Sequence, residues 1–264
     1  MNVPELKVLL SKHQITPSKA FGQNFLCHQP ISERITALVE GQKVLEIGPG
    51  PGALTQRLAQ VPGRQLVLIE KDSRFQPLLK EVVPTAELLI QDALDLEWEA
   101  YKGFTIVGNL PYHVSVPLML AYIRHSSLLG PGLFMMQKEV AQRIVGRPST
   151  SSYGRLSVMA QSYTQTRWVM DVPASAFWPM PGVDSAVVLF TPLCPAPDVR
   201  FCDLEKTVAQ AFLNRRKMLH HNIKAPPSLW SELCIDSKRR AETLSIQEFL
   251  NLAQGLKTSH VDKT

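Results

Sequence analysis

The chain has 264 residues, of which 45% are hydrophobic and 19% are charged, a balance typical of a globular protein with a full core. Lys and Arg outnumber Asp and Glu by 28 to 23, and the net charge of +5 favours a polyanionic partner without requiring one. The four cysteines lie far apart and form no C-x-x-C pair, so neither a disulfide framework nor a zinc site is indicated. The sequence contains no apolar run near the roughly 18 residues of a membrane span and no targeting-peptide pattern, and we expect a cytoplasmic protein without a membrane partner.

Short apolar runs alternate with helical patterns from residue 43 onward. The runs that predict strands cover residues 43–47, 65–69, 87–90, 104–107 and 133–137. This alternation predicts an α/β fold with a doubly wound, mostly parallel sheet. A later strand is predicted at Val187-Val188-Leu189-Phe190, paired beside the stretch near residues 166–169.

A proline-rich stretch after the last predicted strand changes the character of the sequence. Residues 191–197 contain three prolines, which is a linker composition, and the signals that follow are helical. We therefore expect a large domain of residues 1–192 and a small helical domain of residues 193–264. The small domain carries more than half of the excess positive charge.

Two sequence signals predict helix boundaries in this C-terminal domain. Asp203 is predicted to cap a helix that runs to about Lys217. Ser245-Ile246-Gln247-Glu248 has the pattern of a capping box, and Leu244 and Phe249 are placed as its hydrophobic staple.

The first predicted strand runs directly into a glycine turn. Val44-Leu45-Glu46-Ile47 leads into Gly48-Pro49-Gly50-Pro51-Gly52, and a helical pattern resumes at Ala53. Glycines let the backbone pass close to a nucleotide-like ligand and adopt dihedral angles that are closed to other residues. The spacing G-x-G-x-G differs from the dinucleotide fingerprint G-x-G-x-x-G and gives modest support to S-adenosylmethionine over NAD. A tight turn without a ligand is the alternative.

Acidic residues follow the next two predicted strands. Glu70 lies 22 residues after Gly48, where its carboxylate can accept hydrogen bonds from both hydroxyls of a ribose. Asp92 follows the third strand and can accept from the adenine amine of a cofactor, although a solvated acid or an N-cap is the alternative. Because ligands of open α/β sheets bind at the carboxyl ends of the strands, these positions predict an adenosine-binding edge.

Asn109-Leu110-Pro111-Tyr112 follows the fourth predicted strand and is predicted to be the reacting site. The lone pair of an adenine amine is delocalised into the ring, so methylation requires that nitrogen to become more tetrahedral, and acceptors aimed at its hydrogens favour the change. The Asn109 oxygen and the Leu110 carbonyl are such acceptors, while Pro111 fixes the chain direction. Tyr112 offers a ring on which a flipped base stacks. An activated methyl donor needs no metal. Taken alone, the motif also fits a plain turn.

Further motifs extend this pattern over nearly the whole chain. They lie at residues 21–26, 137–143, 153–157, 179–187, 212–217 and 240–245. Together with the glycine turn and the Asn-Leu-Pro-Tyr motif, they resemble the small-subunit ribosomal RNA adenine dimethyltransferases of the kasugamycin-sensitivity type. The sequence departs from that pattern at Ile223, where Leu is usual, and at Cys234, where glycine is common.

The resemblance implies a Rossmann-like class I methyltransferase domain followed by a small all-helical domain that binds RNA. It implies S-adenosylmethionine as cofactor and dimethylation of two adjacent adenosines in a hairpin loop near the 3′ end of 16S ribosomal RNA. The implied partner is small-subunit rRNA within an assembling 30S-type particle, and we expect a monomeric enzyme of ribosome biogenesis. Carried over by position, the cofactor-binding residues are Asn24, Leu26, Gly48, Glu70, Asp92 and Asn109.

Arg215-Arg216-Lys217 is the densest basic cluster and is predicted to contact RNA phosphates. Such contacts position the RNA without reading its sequence. Cations that complement the dipole of a helix's last turn are the alternative.

Three other functions share part of the pattern. The large-subunit rRNA methyltransferase that confers macrolide resistance has similar motifs, but the Arg-Arg-Lys segment argues against it. A nucleic-acid-binding factor that kept the fold and lost the activity is disfavoured by intact Gly48, Glu70 and Asn109. A nicotinamide-dependent dehydrogenase is disfavoured by the turn spacing and by the lack of an obvious hydride-transfer constellation.

Overall fold

The computed structural model describes residues 1–18 and 20–261 and shows nine strands and eleven α-helices in them. The strands are β1 (Phe25–Leu26), β2 (Lys43–Ile47), β3 (Gln65–Glu70), β4 (Glu87–Ile90), β5 (Thr105–Asn109), β6 (Gly132–Gln137), β7 (Thr164–Val172), β8 (Phe177–Trp178) and β9 (Ser185–Pro192). The helices are α1 (Val3–Lys12), α2 (Gln29–Thr36), α3 (Thr55–Leu58), α4 (Gln76–Val82), α5 (Ser115–Arg124), α6 (Lys138–Ile144), α7 (Arg155–Tyr163), α8 (Phe201–Ala211), α9 (Leu219–Asn222), α10 (Pro227–Glu232) and α11 (Ile246–Val261). Within these residues, no helix is long and apolar enough to span a bilayer.

Seven strands form one sheet in the spatial order β4-β3-β2-β5-β6-β9-β7. The pairs β2–β3, β3–β4, β2–β5 and β5–β6 are parallel, and β9 runs antiparallel to β6. The prediction of a doubly wound, mostly parallel sheet is therefore confirmed, and the five predicted early strands are β2 to β6. The predicted late strand is β9, which lies beside β7 as expected.

The central strands are apolar along nearly their whole length because both faces of the sheet are covered. In β2 and β3 every residue after the first is buried, and four of the five residues of β5 are buried. Two buried carboxyl side chains are exceptions. Glu70 ends β3, and Glu46 lies inside β2, where it is paired in register with Leu68 and Val107 and is only 2% exposed. A carboxyl group inside an apolar strand is costly, which marks this position as functional or protonated.

The chain divides into two compact units. The first contains Met1–Ala141 and Arg167–Pro192, and the second contains Gln142–Thr166 and the residues from Leu193 onward. The expected boundary at residue 193 coincides with one of these divisions, but the sequence did not indicate that residues 142–166 group with the C-terminal helices. Aromatic packing inside the second unit explains the grouping, since Phe212 contacts the rings of both Tyr153 and Phe249.

The two predicted helix boundaries of the second unit differ in outcome. The capping box is confirmed: the Ser245 backbone donates to Glu248 at 2.7 Å, and the Glu248 backbone donates to the Ser245 hydroxyl at 3.2 Å. The prediction for Asp203 is wrong, because α8 begins at Phe201 and ends at Ala211. The Asp203 carboxylate lies in the first turn and pairs with Arg200, which satisfies it without capping.

Cys234 lies where the family that this sequence resembles commonly has glycine. It adopts a left-handed backbone conformation with φ of 53°. That conformation strains residues that have a Cβ atom and is readily adopted by glycine. The family pattern at this position therefore has a conformational cause.

We predict that Gly132→Ala destabilises the first unit. A Cβ atom at Gly132 would lie 2.7 Å from both the Phe134 and Tyr122 rings, which are fully buried and cannot withdraw. Overpacking of this kind costs about 1–3 kcal/mol of unfolding free energy, measurable by urea denaturation. Gly182→Ala is the control, because a Cβ atom there meets nothing within 4 Å. Equal unfolding free energies for the two variants would contradict the prediction.

Candidate active site

One cleft in the first unit collects the carboxyl ends of the parallel strands. Its empty space is about 1220 Å³, including solvent at its mouth, which accommodates a nucleoside-sized ligand. The structure brings all the predicted cofactor and catalytic residues to this cleft: Asn24, Leu26, Gly48, Glu70, Asp92, Asn109, Leu110, Pro111 and Tyr112. The ends of four strands, β2 to β5, and an N-terminal segment thus form a single site.

The three glycines of the turn after β2 adopt left-handed backbone conformations. Gly48, Gly50 and Gly52 have φ values of 68°, 52° and 87°, and this is the conformational requirement that the sequence indicated. The Gly50 amide donates to the Glu70 carboxylate at 3.0 Å. The turn is therefore tied directly to the end of the neighbouring strand β3.

Glu70 is a buried carboxylate, 7% exposed, at the end of β3. One oxygen accepts from the Gly50 amide and the other from the Asp72 amide at 2.9 Å. Burial raises the pKa of Glu70 despite these hydrogen bonds. Each carboxylate oxygen can accept more than one hydrogen bond, so the group is oriented and can still take the two hydroxyls of a ribose.

Asp92 follows β4 and is held by two partners. Its Oδ1 accepts from the Leu94 amide at 3.0 Å, and its Oδ2 pairs with Lys71 at 2.6 Å. These contacts, the Leu94 hydrogen bond first, lower the pKa of Asp92. Asp92 is therefore the N-cap of the short 3-10 helix Ala93–Asp95. It also lines the cleft.

The Asn109 side chain is oriented by the N-terminal segment. Its Nδ2 donates to the Asn24 backbone carbonyl at 3.2 Å. A carbonyl can only accept, so this contact fixes which end of the amide is nitrogen and leaves Oδ1 available as an acceptor. Asn24 is thus linked to the reacting motif through its backbone, a contact that sequence reasoning on the residues alone could not find.

The rest of the Asn-Leu-Pro-Tyr motif is fixed by the sheet. The Leu110 amide donates to the Met135 carbonyl of β6 at 3.0 Å, and the Leu110 side chain is buried. The Tyr112 hydroxyl shares a hydrogen bond of 2.8 Å with the Ser185 hydroxyl of β9, and burial raises the pKa of Tyr112. The Tyr112 ring is therefore held at its hydroxyl end, which suits a stacking surface.

The N-terminal segment also approaches the reacting motif at Gly22. This residue has φ of 60°, and a Cβ atom on it would lie 2.9 Å from the His113 ring. Glycine is therefore required for both conformation and space. The glycine in the family motif at residues 21–26 is thus explained by its backbone conformation and by its packing against His113.

One buried charged residue that no sequence motif indicated also lies at the cleft. Glu46 lines it, and its Oε2 has no hydrogen-bond partner among the residues that the structure describes. Burial, reinforced by the charge of Glu70, raises the pKa of Glu46 to about 8. The available sequence signal was a lone acid inside an apolar strand. Among the side chains that the structure describes, those of residues 1–18 and 20–257, there is no cluster of three His, Cys, Asp or Glu that could hold a metal.

The predicted RNA-binding cluster lies in the second unit and divides into two kinds of residue. Arg215 pairs with Glu242 at 2.8 Å and donates to the backbone carbonyls of Ser151 and Tyr153. Arg216 and Lys217 are exposed, and the described part of the chain shows no ion pair or side-chain hydrogen bond for either. The side chains of Arg216 and Lys217 are therefore available to bind phosphate, whereas the Arg215 guanidinium is already bonded to Glu242 and to two backbone carbonyls of the second unit.

The sheet differs from the all-parallel dinucleotide-binding arrangement because β9, the last strand in sequence, is inserted antiparallel between β6 and β7. With the glycine turn and the buried Glu70 at the cleft, this defines a class I S-adenosylmethionine-dependent methyltransferase. The chain belongs to the ribosomal RNA adenine dimethylase family, whose model matches residues 16–258.

Named relatives support this membership over nearly the full chain. The chain is 40% identical over 263 residues to a protein of Phenylobacterium zucineum named ribosomal RNA small subunit methyltransferase A, covering 95% of this chain and 92% of that protein. It is 42% identical over 250 residues to the protein of the same name from Caulobacter vibrioides, covering 89% and 96%. The family resemblance and the use of S-adenosylmethionine are thereby confirmed.

Solved structures support the fold. A dimethyladenosine transferase from Plasmodium falciparum aligns with a TM-score of 0.77 at 24% identity, covering 89% of this chain and 98% of that one. The 23S rRNA methyltransferase ErmE aligns with a TM-score of 0.67, also at 24% identity, covering 89% and 100%. The Rossmann-like prediction is confirmed.

We predict that Glu46 makes the stability of the ligand-free protein fall as pH rises. Below its ordinary pKa of 4.5 the carboxyl is protonated in both states, and between 4.5 and about 8 only the folded chain keeps the proton. The free energy of unfolding therefore falls through this window, by at most about 1.4 kcal/mol per pH unit. Glu46→Gln keeps the neutral form and removes this loss.

Urea denaturation at pH 5 and pH 8 measures the effect. Glu46→Gln should gain stability relative to the parent protein at pH 8, whereas Glu40→Gln, at an exposed position, should not. A Glu46→Gln difference that is the same at both pH values would show that Glu46 is ionised in the folded state.

Proposed function

We propose that this protein transfers methyl groups from S-adenosylmethionine to the N6 amines of two adjacent adenosines in a hairpin loop near the 3′ end of 16S rRNA. The observation that carries the proposal is the Asn109 amide, whose nitrogen donates to the Asn24 carbonyl and whose oxygen is thereby left to accept from an amine. Relatives named ribosomal RNA small subunit methyltransferase A support the choice of the small subunit.

The residues of the motif supply positioning and hydrogen-bond acceptors. Bound S-adenosylmethionine supplies a methyl group on a positively charged sulfur. In the first transfer to each amine, the Asn109 Oδ1 and the Leu110 carbonyl accept its two hydrogens, which localises the nitrogen lone pair toward the methyl carbon. In the second transfer one hydrogen remains for these acceptors. Tyr112, held by Ser185, stacks on the base after it leaves its own stack. The nitrogen becomes acidic as it gains the methyl group, and its proton passes to water.

The cofactor-binding roles follow the strand ends. Glu70 accepts the ribose hydroxyls, the turn at Gly48 lets the backbone approach the ligand, and Asp92 accepts from the cofactor's adenine amine. Asn24 and Leu26 close the site from the N-terminal segment. The fit rests on Glu70, whose two oxygens are already oriented by backbone amides inside the cleft.

The partner is small-subunit rRNA within an assembling 30S-type particle in the cytoplasm. Residues 1–192 act as the cofactor-binding catalytic domain, and residues 193–264 act as the RNA-binding domain of a monomeric enzyme. Of the basic cluster, Arg216 and Lys217 contact phosphate. Arg215 contributes by holding residues 151 and 153 against its own loop.

The test of this function is a labelling experiment. Purified protein receives tritiated S-adenosylmethionine and small ribosomal subunits from a strain that lacks the methylation, and the label is mapped. We expect label on N6 of adjacent adenosines near the 3′ end of the small-subunit RNA. In a parallel reaction the protein receives large subunits instead. Label confined to large-subunit RNA, or no label in either reaction, refutes the proposal.

We predict that Asn109→Ala abolishes measurable transfer while RNA affinity stays nearly intact. Loss of one pre-oriented acceptor lowers turnover by at least about 100-fold, measured at saturating cofactor in single-turnover assays. Asn251→Ala, which removes an amide bonded to Gln247 on α11, is the control. A normal turnover number for Asn109→Ala would remove this residue from the mechanism.

We predict different effects for the members of the basic cluster. Arg216→Ala and Lys217→Ala should each weaken RNA binding and reduce the slope of log affinity against log salt by about 0.7–0.9, the contribution of one phosphate contact. Arg215→Ala should chiefly lower the free energy of unfolding, because it loses Glu242 and two backbone carbonyls. A reduced salt slope for Arg215→Ala with unchanged stability would contradict this division.

A further inference from the structure

Residues 16–18 and 20–24 form a segment that we call the cover segment, because its residues from Ala20 onward line the cleft. It leads directly into β1, which pairs with β8. At its C-terminal end the Asn24 carbonyl receives the Asn109 amide. How the rest of the segment is held therefore bears on the cofactor cleft.

Gln23 fastens the cover segment through both ends of its side-chain amide. Its Oε1 accepts from the Ser18 backbone amide at 2.8 Å, within the segment itself. Its Nε2 donates to the Asp72 Oδ2 at 2.8 Å, outside the segment. The amide orientation is thus fixed by a donor on one side and a carboxylate on the other.

Asp72 is built to receive this contact. Its side chain is 4% exposed, and Arg74 donates to both of its oxygens, at 2.8 Å to Oδ1 and 2.6 Å to Oδ2. Although burial acts to raise it, the pKa of Asp72 is lowered by the hydrogen bonds from Arg74 and Gln23, so the carboxylate is charged at neutral pH. Arg74 also donates to the Thr16 carbonyl at 3.2 Å, which gives the cover segment a second attachment.

Asp72 also contacts the cofactor site, through its backbone. The Asp72 amide donates to the Glu70 Oε1 at 2.9 Å, and so helps to orient the carboxylate assigned to the ribose. Asp72 therefore contacts the cover segment with its side chain and the ribose-binding carboxylate of Glu70 with its backbone amide. Loss of the Gln23–Asp72 contact would loosen the cover segment while the Glu70 and Asn109 side chains stay in the cleft.

We propose that Gln23 and Asp72 are positioning residues that latch the cover segment over the cofactor, so that the Gln23–Asp72 hydrogen bond sets how tightly and how long S-adenosylmethionine is held. The inference deepens the cofactor assignment of Glu70 and rests on it, but it does not depend on which RNA is methylated. Gln23 acts through Asp72, and neither residue is assigned a direct contact with the reacting atoms.

Reversal of the hydrogen-bond polarity tests the latch. Gln23→Glu places a second carboxylate next to Asp72 and keeps an acceptor for the Ser18 amide. Asp72→Asn removes the negative charge to which both Gln23 and Arg74 donate hydrogen bonds. The double variant Gln23→Glu/Asp72→Asn restores one donor and one carboxylate in reversed order. The matched control is Gln29→Glu, because Gln29 donates to the Glu33 carboxylate on the exposed surface of α2 at 3.1 Å.

The readouts separate positioning from folding and from catalysis. Calorimetry with S-adenosylmethionine and with S-adenosylhomocysteine gives Kd, thermal unfolding of the free proteins reports folding, and steady-state assays give KM and kcat. Each single variant should raise Kd and the KM for the cofactor by about tenfold or more, the effect of losing a hydrogen bond to a charged group. The kcat at saturating cofactor should change less than about threefold, and the double variant should recover most of the affinity.

Two results would overturn the latch. If Gln23→Glu weakens binding while Asp72→Asn does not, and the double variant shows no recovery, Gln23 contacts the cofactor directly. If both single variants bind as tightly as Gln29→Glu, the contact has no role in binding. Glu70→Gln is measured alongside: normal affinity in that variant refutes the cofactor site itself, whereas weak affinity there with normal latch variants refutes only the latch.

Discussion

The parallel pairing of β2 with β3 and β5 is the constraint on which the rest of this structure depends. Parallel strands bring their carboxyl ends to one edge, so residues far apart in sequence meet there without any local signal between them. At that edge the Gly50 amide meets the Glu70 carboxylate, and Asn109 lies one strand away on the other side of β2. The adenosine-binding groups and the reacting motif are adjacent because of strand order alone.

The strands and the residues at their ends could be predicted from sequence because both are local properties. An apolar run followed by a glycine turn or an acid is legible in a window of ten residues, and the structure has β2 at the predicted bounds. The capping box at Ser245 is equally local. Asp203 shows the limit of such signals: an acid in a first turn is common to caps and to ion pairs, and its pairing with Arg200 decided the outcome.

Contacts over long sequence distances could not be predicted. The Asn24 carbonyl orients an amide 85 residues away, and Gln23 binds a carboxylate 49 residues away. A backbone acceptor leaves no trace in residue type, so only the family resemblance brought Asn24 to attention. Arg215 illustrates the same limit on the surface, because its sequence neighbours do not reveal that Glu242 and two carbonyls already occupy it.

The central claim is that the strand-end residues form the cofactor site while the N-terminal segment aims the Asn109 amide. A crystal structure of the protein with S-adenosylhomocysteine tests it most directly. The account predicts both ribose hydroxyls within about 3 Å of the Glu70 carboxylate and the Asn109 contact to the Asn24 carbonyl retained. A ribose bound away from Glu70, or an Asn109 amide turned from Asn24 with its nitrogen toward the substrate side, would contradict the account.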